Sequence, residues 1–492
     1  MSDQSSYKQV IKATSIFGGV QVFNIIISIL RSKVIAMFLG PAGMGIAGLF
    51  NTAIALITVM TNFGLETSGI KSIATVNENV DKDKLGRQTA ILKRLVWITA
   101  ILGAALTIVF SSSLSEITFG NDKYVISFIW IAAAIMIKQL SVGQLAILQG
   151  LRKIKYLAKA NLMGSFFGLL LTVPLYYFFR IDAIVPAILV TVAVSFLFNL
   201  YYVSKTAIKS QSISTKQAVR EGKPMLRLGL SLGFITIITT LSAYALQIYI
   251  SHSGGLQQVG LFSAGFAIIN SYVGLVFNAM ATDYFPRLSA VSESNDQTRK
   301  MVTQQSFTAV LILTPIVVVF LLFAPLIVEI LYSKSFMPIV LLVIWGILGT
   351  PIKAVSWSMG YILIAKSDSK LFMATSVGFN SVFLANNIAC YYWYGLEGLG
   401  ISFLVNHIIH FIVLKIITLK RYGFYFDSEF YKIYGLCLFF CGIGFLFTYI
   451  SNLYLKNGLL LGLAIATTGY CLHQLNKKVN FTEVVRNKWN KK

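Results

Sequence analysis

The sequence has few charged residues for its length. Only 12% of its 492 residues are Asp, Glu, Lys or Arg, whereas soluble domains carry about 25%. Acids are scarcer still, with 18 Asp and Glu against 41 Lys and Arg, and hydrophobic residues make up 56%. This composition excludes a disordered protein and an ordinary soluble enzyme. Apolar runs of about 18 or more residues recur along the chain, and such runs are typical of membrane-spanning helices.

Cysteine is also rare. The chain has Cys390, Cys437, Cys441 and Cys471, all within apolar segments and without a CxxC pair. This pattern argues against a disulfide framework and against a cysteine-bound metal cluster. We therefore expect no metal site.

Fourteen apolar segments have the length of membrane-spanning helices, and the last two are the shortest. Because a spanning helix needs about 20 apolar residues, the sequence predicts an all-α polytopic membrane protein with about 14 transmembrane helices. The segments, numbered 1 to 14, cover residues 14–38, 45–73, 89–112, 124–148, 159–178, 184–203, 228–250, 259–281, 304–330, 338–364, 371–392, 399–418, 433–450 and 458–475.

The basic residues outside these segments are concentrated on one side. With the amino terminus inside, the external loops hold only Lys123, Arg180, Lys334 and Lys456. Such an excess of Lys and Arg marks the cytoplasmic face, so both termini are expected in the cytoplasm. The same bias, together with attraction to anionic lipids, accounts for most of the net charge of +23. No nucleic-acid partner is predicted.

The loops are too short for a soluble catalytic domain, so binding must occur between helices within the membrane. The string from Gly43 to Gly48 matches G-x-G-x-x-G, but it lies between two membrane segments and follows no strand. We therefore predict no nucleotide site and no cofactor. Transport must then draw on an H⁺ or Na⁺ gradient, the membrane potential or the substrate gradient.

An internal repeat is visible in the sequence. Gly48-Leu49-Phe50 matches Gly260-Leu261-Phe262, and the stretch 145–156 resembles 360–371. Segments 2 and 4 thus correspond to segments 8 and 10 in the same orientation. The repeat predicts two six-helix lobes related by a pseudo-two-fold axis along the membrane normal. We expect an N-terminal lobe at 1–208, a C-terminal lobe at 209–425, and two extra transmembrane helices with a basic cytoplasmic tail at 426–492.

Eleven charged residues fall within the predicted segments. Four of these, Lys93, Arg94, Lys159 and Glu329, lie among the first or last six residues of their segments. A charge at the bilayer centre costs roughly 2.5–3.5 kcal/mol, so such residues usually face a bundle interior or a water-filled cavity. Of the other seven, six are basic and one is acidic, which leaves a positive excess and predicts a cationic cavity for an anionic ligand. These seven are Arg31, Lys33, Glu66, Lys71, Lys138, Lys353 and Lys415.

Lys138 and Lys353 occupy equivalent positions in the repeat, 215 residues apart. Each lies near the middle of its segment. Two lysines opposed in a cavity would form a clamp for a phosphate or pyrophosphate. The alternative is that each ammonium reaches the interface or bonds a backbone carbonyl.

Polar residues follow one face of segments 1 and 2. Asn24 and Arg31 share a stripe on segment 1, and Asn62 and Glu66 share another on segment 2. We predict that Arg31, Asn24 and Asn62 contact substrate. For Glu66 two interpretations stay open: an ion pair with Arg31 or Lys71, or a carrier of a coupling proton. Lys71 lies near a cytoplasmic helix end, where its ammonium can reach the interface.

His407 and His410 are spaced i, i+3 in segment 12. This spacing is compatible with a metal ligand pair or with proton handling. A third metal ligand is not evident, so proton coupling is the preferred functional interpretation of the pair.

Three stretches resemble a known transporter family. They are FLGPAGMGIAGLFN from Phe38, DYFPRLSAV from Asp283, and LYSKSFMPIVLLVIWGILGTPIKAVSWSMGYILIAKSDSKLF from Leu331. They are similar to the Wzx-type O-antigen and enterobacterial-common-antigen flippases of the multidrug/oligosaccharidyl-lipid/polysaccharide exporter superfamily. Arg31 matches a cavity arginine of the related lipid II flippases, but Met37 stands where those have a second arginine.

The resemblance implies a non-enzymatic protein of the bacterial inner membrane with two lobes around a cationic cavity. It implies that undecaprenyl-pyrophosphate-linked O-antigen, or a similar repeat unit, moves from the cytoplasmic to the periplasmic leaflet by alternating access. Membrane lipids, a polysaccharide polymerase and the chain-length machinery are the implied partners. Segments 13 and 14 are candidates for a groove that holds the lipid tail.

Other functions remain open from sequence. Within the superfamily the alternatives are a lipid II flippase and a drug/cation antiporter, although a cation carrier would favour an acidic cavity. A membrane glycan polymerase or ligase is the alternative from another class, although no large external loop is present to hold its catalytic residues. A lipid scramblase or channel would differ in failing to accumulate substrate against a gradient.

Overall fold

The protein is helical wherever its structure is described. The computed structural model describes residues 3–78, 81–206, 208, 211–272 and 274–479. Every regular element in these ranges is a helix, which confirms the predicted all-α class. Short 3₁₀ helices at Asp122–Tyr124, Arg180–Ala183 and Lys334–Ile339 connect some of the α-helices, and a π-helical segment covers Ala267–Tyr272.

The α-helices of the described ranges are numbered in chain order. They are α1 (Asp3–Asn62), α2 (Leu65–Glu78), α3 (Lys82–Val109), α4 (Ser111–Phe119), α5 (Val125–Gly150), α6 (Ile154–Phe179), α7 (Ile184–Ser204), α8 (Thr215–Phe266), α9 (Leu275–Ala290), α10 (Asn295–Leu331), α11 (Val340–Ala365), α12 (Ser369–Tyr422), α13 (Ser428–Phe447) and α14 (Leu453–Val479).

Three of these helices are long enough to cross a membrane twice. α1, α8 and α12 each contain one glycine with positive φ: Gly40 (65°), Gly255 (81°) and Gly395 (57°). Glycine adopts this backbone conformation without a steric penalty, so it can turn the chain between two spans without a loop. The described chain has 10 continuous stretches that are long and apolar enough to span a membrane. Dividing the long stretches accounts for the 14 predicted segments.

The chain divides into two compact units, Met1–Ser263 and Ala264–Lys492. By packing, therefore, α8 belongs almost entirely with the first unit, whereas the sequence repeat assigns its segment 7 to the C-terminal lobe. The predicted lobes at 1–208 and 209–425 follow from the sequence repeat, and 426–492 lies outside it. These limits remain predictions.

Two hydrophobic clusters lie within the described residues of the first unit. One includes Phe50 of α1, Phe128 of α5 and Tyr176 of α6. The other includes Leu92 of α3 and Ile147 of α5. Because α5 contributes to both clusters, it is held at both ends of the unit, and Lys138 lies between them.

Helix α8 is fastened to the first unit at its N-terminal end. A Cβ on Gly64 would lie 2.0 Å from the carbonyl oxygen of Gly229, so the two backbones touch there. Nearby, the guanidinium of Arg87 on α3 donates two hydrogen bonds to the Glu221 carboxylate on α8, at 2.8 and 2.6 Å. The glycines permit the close approach of the two backbones, and the ion pair stabilises the contact between α3 and α8.

A large hydrophobic core lies within the described residues of the second unit. It joins Tyr284 of α9, Val310 of α10, Met359 of α11, Phe430 of α13 and Cys471 of α14. Helices α13 and α14 lie outside the sequence repeat, yet they share this core. They are therefore an integral part of the second unit.

Candidate functional site

A polar cavity lies inside the first unit. Its volume is about 260 Å³, and α1, α5, α6 and α7 line it. Lys138 is its only charged lining residue among those described. Amide and hydroxyl groups surround the ammonium, and they are Asn51, Ser141, Asn161, Ser165, Ser195 and Asn199. We call this space the Lys138 cavity.

The spacing of residues on α5 explains how the cavity obtains its lysine. Lys138, Ser141 and Leu145 follow at i, i+3 and i+7, so they share one helix face, and all three line the cavity. Part of the lining is held by hydrogen bonds, since Asn199 Nδ2 donates to Ser141 Oγ at 2.6 Å. The cavity thus offers fixed hydroxyl and amide groups beside one cation.

Glu66 belongs to the surroundings of Lys138. It lies exposed in the first turn of α2, and its carboxylate interacts electrostatically with the Lys138 ammonium. Sequence reasoning named Arg31 and Lys71 as partners for Glu66 and did not name Lys138. The two residues are 72 positions apart, and nothing in the hydropathy pattern brings them together.

Arg31 and Asn24 on α1 have polar atoms without partners. Arg31 Nε and Asn24 Oδ1 are buried and make no hydrogen bond within the described part of the chain. Arg31 lies against α6, where its Nη2 is 3.6 Å from the ideal Cβ position of Gly168, and it interacts electrostatically with Tyr176. A buried guanidinium that is not fully hydrogen-bonded is costly, and its free donor can bind an anion.

The remaining predicted residues of the first unit differ in exposure. Asn62 is buried at the end of α1, at 7% exposure, just before the turn to α2. Lys71 is exposed on α2, as expected for an ammonium that reaches the interface.

Lys353 has a different environment in the second unit. Its Nζ on α11 donates to Asn270 Oδ1 at 3.0 Å. It also lies 5.3 Å from the ring centroid of Phe277 and 5.5 Å from that of Phe403, within cation–π range. Asn270 sits on the π-helical segment, and π-helical turns are frequent at functional sites.

His407 and His410 lie on α12 beside Lys353. Their ring centroids are 6.5 Å apart, and the Lys353 ammonium interacts electrostatically with both rings. The Nδ1 atoms of both histidines are buried and make no hydrogen bond within the described ranges. Across those ranges no group of three or more His, Cys, Asp or Glu side chains is placed to hold a metal ion.

Sequence reasoning missed a network of amides on α12. Asn386 Nδ2 donates to Asn406 Oδ1 at 2.8 Å, and Ser402 donates its hydroxyl to Asn387 Oδ1. Adjacent asparagines within an apolar segment were the available signal, because a polar amide in a membrane helix needs a partner. Sequence reasoning also missed Asn270 of segment 8, which gave the same signal of a polar amide within an apolar segment.

The two predicted clamp lysines lie in different compact units. Lys138 lines a cavity of the first unit and Lys353 is bonded within the second. The proposed clamp between them remains a prediction.

Known proteins are similar in sequence to most of this chain. The chain is 22% identical over 399 residues to the lipid III flippase of Escherichia coli (strain K12), covering 78% of this chain and 92% of that protein. The lipid III flippase of Shigella flexneri gives the same values.

Solved structures show the same fold. A lipid II flippase, MurJ, in an inward closed conformation aligns with a TM-score of 0.70 at 12% identity, covering 95% of this chain and 99% of that one. An inward-facing multidrug resistance transporter of the MATE family, from the MOP superfamily, aligns with a TM-score of 0.63 at 16% identity, covering 84% and 96%.

A family described as "Polysaccharide biosynthesis protein" matches residues 34–341, more than half of the chain. Together with the multiple apolar helices, this match describes a multi-pass membrane protein. The chain belongs to the polysaccharide biosynthesis protein family.

Proposed function

We propose that this protein flips an undecaprenyl-pyrophosphate-linked oligosaccharide from the cytoplasmic to the periplasmic leaflet by alternating access. The substrate would be an O-antigen or similar surface-polysaccharide repeat unit. The observation that carries the proposal is the Lys138 cavity, a cationic space lined by amides and hydroxyls inside an apolar unit. The relationship to lipid III flippases supports the same substrate class.

The chemistry of the cavity suits the head group of such a lipid. A sugar cannot enter hydrocarbon without losing its hydrogen bonds to water, at a cost of several kcal/mol for each polar group. Asn and Ser side chains replace those bonds, and the ammonium of Lys138 and guanidinium of Arg31 attract the diphosphate. The protein then needs no catalytic residue, because no covalent bond changes.

The lipid tail has a separate candidate site in the second unit. An apolar cavity of about 620 Å³ is lined by α10, α11 and the α13–α14 region, and Lys456 is its only charged lining residue among those described. Its lining includes Leu321, Leu326, Ile344 and Leu461. We propose that α13 and α14 form this groove to hold the polyprenyl chain, because an apolar tail is more stable against an apolar surface than in water.

The proposal includes location, energy source and partners. The protein would lie in the inner membrane with both termini in the cytoplasm, as the distribution of Lys and Arg predicts. An H⁺ or Na⁺ gradient or the membrane potential would supply the energy. A polysaccharide polymerase and chain-length machinery would receive the exported repeat units.

A drug/cation antiporter is disfavoured by the charges. Of the eleven charged residues in the predicted segments only Glu66 and Glu329 are acidic, and the Glu66 carboxylate interacts with Lys138. A cavity whose lining carries a lysine repels cations.

Depletion of the protein in its host tests the proposed function. We expect pyrophosphate-linked oligosaccharide to accumulate on the cytoplasmic side while surface polysaccharide is lost. Extracted lipids, analysed by mass spectrometry after probing leaflet accessibility, give the readout and identify the sugar. Repeat units that reach the periplasm but stay unpolymerised would overturn the proposal in favour of a polymerase or ligase.

A further inference from the structure

A second cluster of polar groups lies in the second unit. It consists of Lys353 on α11, Asn270 on the π-helical segment, and His407 and His410 on α12. We call it the imidazole cluster.

Both imidazoles have a polar atom without a partner. Nδ1 of His407 and Nδ1 of His410 are buried and make no hydrogen bond within the described residues. His407 is 7% exposed, and its ring packs 4.4 Å from that of Phe403. The ring of His410 packs 4.3 Å from that of Phe379. Buried polar atoms normally have partners, so two unpartnered Nδ1 atoms a helical turn apart can bind a ligand or a proton.

The charged surroundings of the pair are positive. Lys353 on α11 interacts electrostatically with both rings. The π-helical segment and α9 present Asn270 and Phe277, which are uncharged. Glu397 on α12 already accepts a hydrogen bond from a tryptophan of α11 and lies about 15 Å along the helix from the pair. A buried basic group without a nearby carboxylate accommodates a further positive charge only when an anion arrives with it.

We propose that the imidazole cluster is a second anion site, in addition to the Lys138 cavity, and that it takes up a proton together with the diphosphate of the lipid-linked glycan. The proposal rests on the proposed function and adds a linked proton to it. In the empty site both imidazoles are neutral and Lys353 is bonded to Asn270. When the diphosphate binds Lys353, one imidazole takes a proton from water on the side to which the site is open. The proton returns to water when the anion leaves.

Proton uptake during ligand binding tests the proposal directly. The probe is a polyprenyl diphosphate that carries one sugar, because its diphosphate has no group titrating near neutral pH. It is added to the purified full-length protein in detergent, in weakly buffered solution with a pH indicator. We expect uptake approaching one proton per bound lipid near neutral pH, and binding up to about 100-fold tighter at about pH 6 than at about pH 8.

Variants distinguish this pair from other proton acceptors. In the double variant H407Q/H410Q, we expect lipid binding without proton uptake and without pH dependence. His473→Gln removes an exposed histidine of α14 and should behave as the wild type. The single variants H407Q and H410Q serve if the double variant does not fold, and at least one should lose part of the uptake.

The outcomes separate the two proposals. Binding to the wild type without proton uptake, or uptake that persists in H407Q/H410Q, overturns the proton linkage and leaves the flippase proposal intact. Failure of the wild type to bind the probe at all contradicts the flippase proposal itself.

Discussion

Lys138 and Lys353 occupy equivalent positions in the sequence repeat but have unlike surroundings. Lys138 lines a polar cavity and interacts with an exposed carboxylate. Lys353 is bonded to Asn270 and covered by two aromatic rings. Lys138 therefore faces open space that can take an anion, whereas Lys353 already gives one of its three N–H donors to Asn270. The two lysines thus share a position in the repeat, but their hydrogen bonds and neighbouring side chains differ.

The largest effect is expected at the lysine that lines the cavity. Lys138→Ala should abolish export, because a charge-assisted hydrogen bond contributes about 1.5–3 kcal/mol, or about 10- to 100-fold in binding. Surface polysaccharide in a complemented deletion strain is the readout, with membrane insertion checked by immunoblot. Lys71→Ala, which removes an exposed lysine of α2, is the matched control. Normal surface glycan in the Lys138 variant would show that the cavity does not bind the diphosphate.

The bonded lysine can be tested through its acceptor. We expect Lys353→Ala to lose export. Asn270→Leu should tighten binding of lipid diphosphate by about 2- to 10-fold, because the amide, whose hydrogen bond contributes about 0.5–1.5 kcal/mol, no longer competes with the anion for the ammonium. Binding of the sugar-capped lipid to purified protein measures both.

The control for this comparison is Asn380→Leu, whose amide donates to a backbone carbonyl of its own helix. It should leave affinity unchanged. Weaker binding in Asn270→Leu would mean that Asn270 positions Lys353 for the anion and does not restrain it. Lys138 and Lys353 would then differ less in how they bind the anion than their surroundings suggest.

The size of the cavity can be tested separately from its charge. Ser165→Leu adds a bulky side chain to the Lys138 cavity while leaving the ammonium in place. We expect a several-fold loss of binding for lipid that carries a sugar and little change for polyprenyl diphosphate alone, since only the sugar needs the room. Ser165→Ala should have little effect on either lipid. Equal losses for both lipids would place the sugar elsewhere.

The sequence predicts the helices better than it predicts their neighbours. Apolar length is a local property, so the spans could be located before the fold was known. The lysines could also be found, because a charge in an apolar segment is rare.

The contacts of those lysines could not be found from sequence. Asn270 and Lys353 are 83 positions apart, and the cavity around Lys138 collects side chains from four helices. Membrane helices are apolar on most faces, so hydropathy does not specify how each helix is rotated or which helix it meets. Packing of side chains decides both, and the sequence pattern does not encode it locally.

The smallest effect is expected at Glu66. The variant Glu66→Gln distinguishes between the two roles of this carboxylate. If the carboxylate only competes with the incoming anion for Lys138, Glu66→Gln should tighten binding slightly, by up to about fivefold, because an exposed ion pair contributes about 0–1 kcal/mol. Export should then continue at close to the wild-type rate. If Glu66 carries a coupling proton, the same variant should bind substrate but lose transport in vesicles with an imposed pH gradient. We expect the first result, because the imidazole cluster already supplies a buried group for the proton.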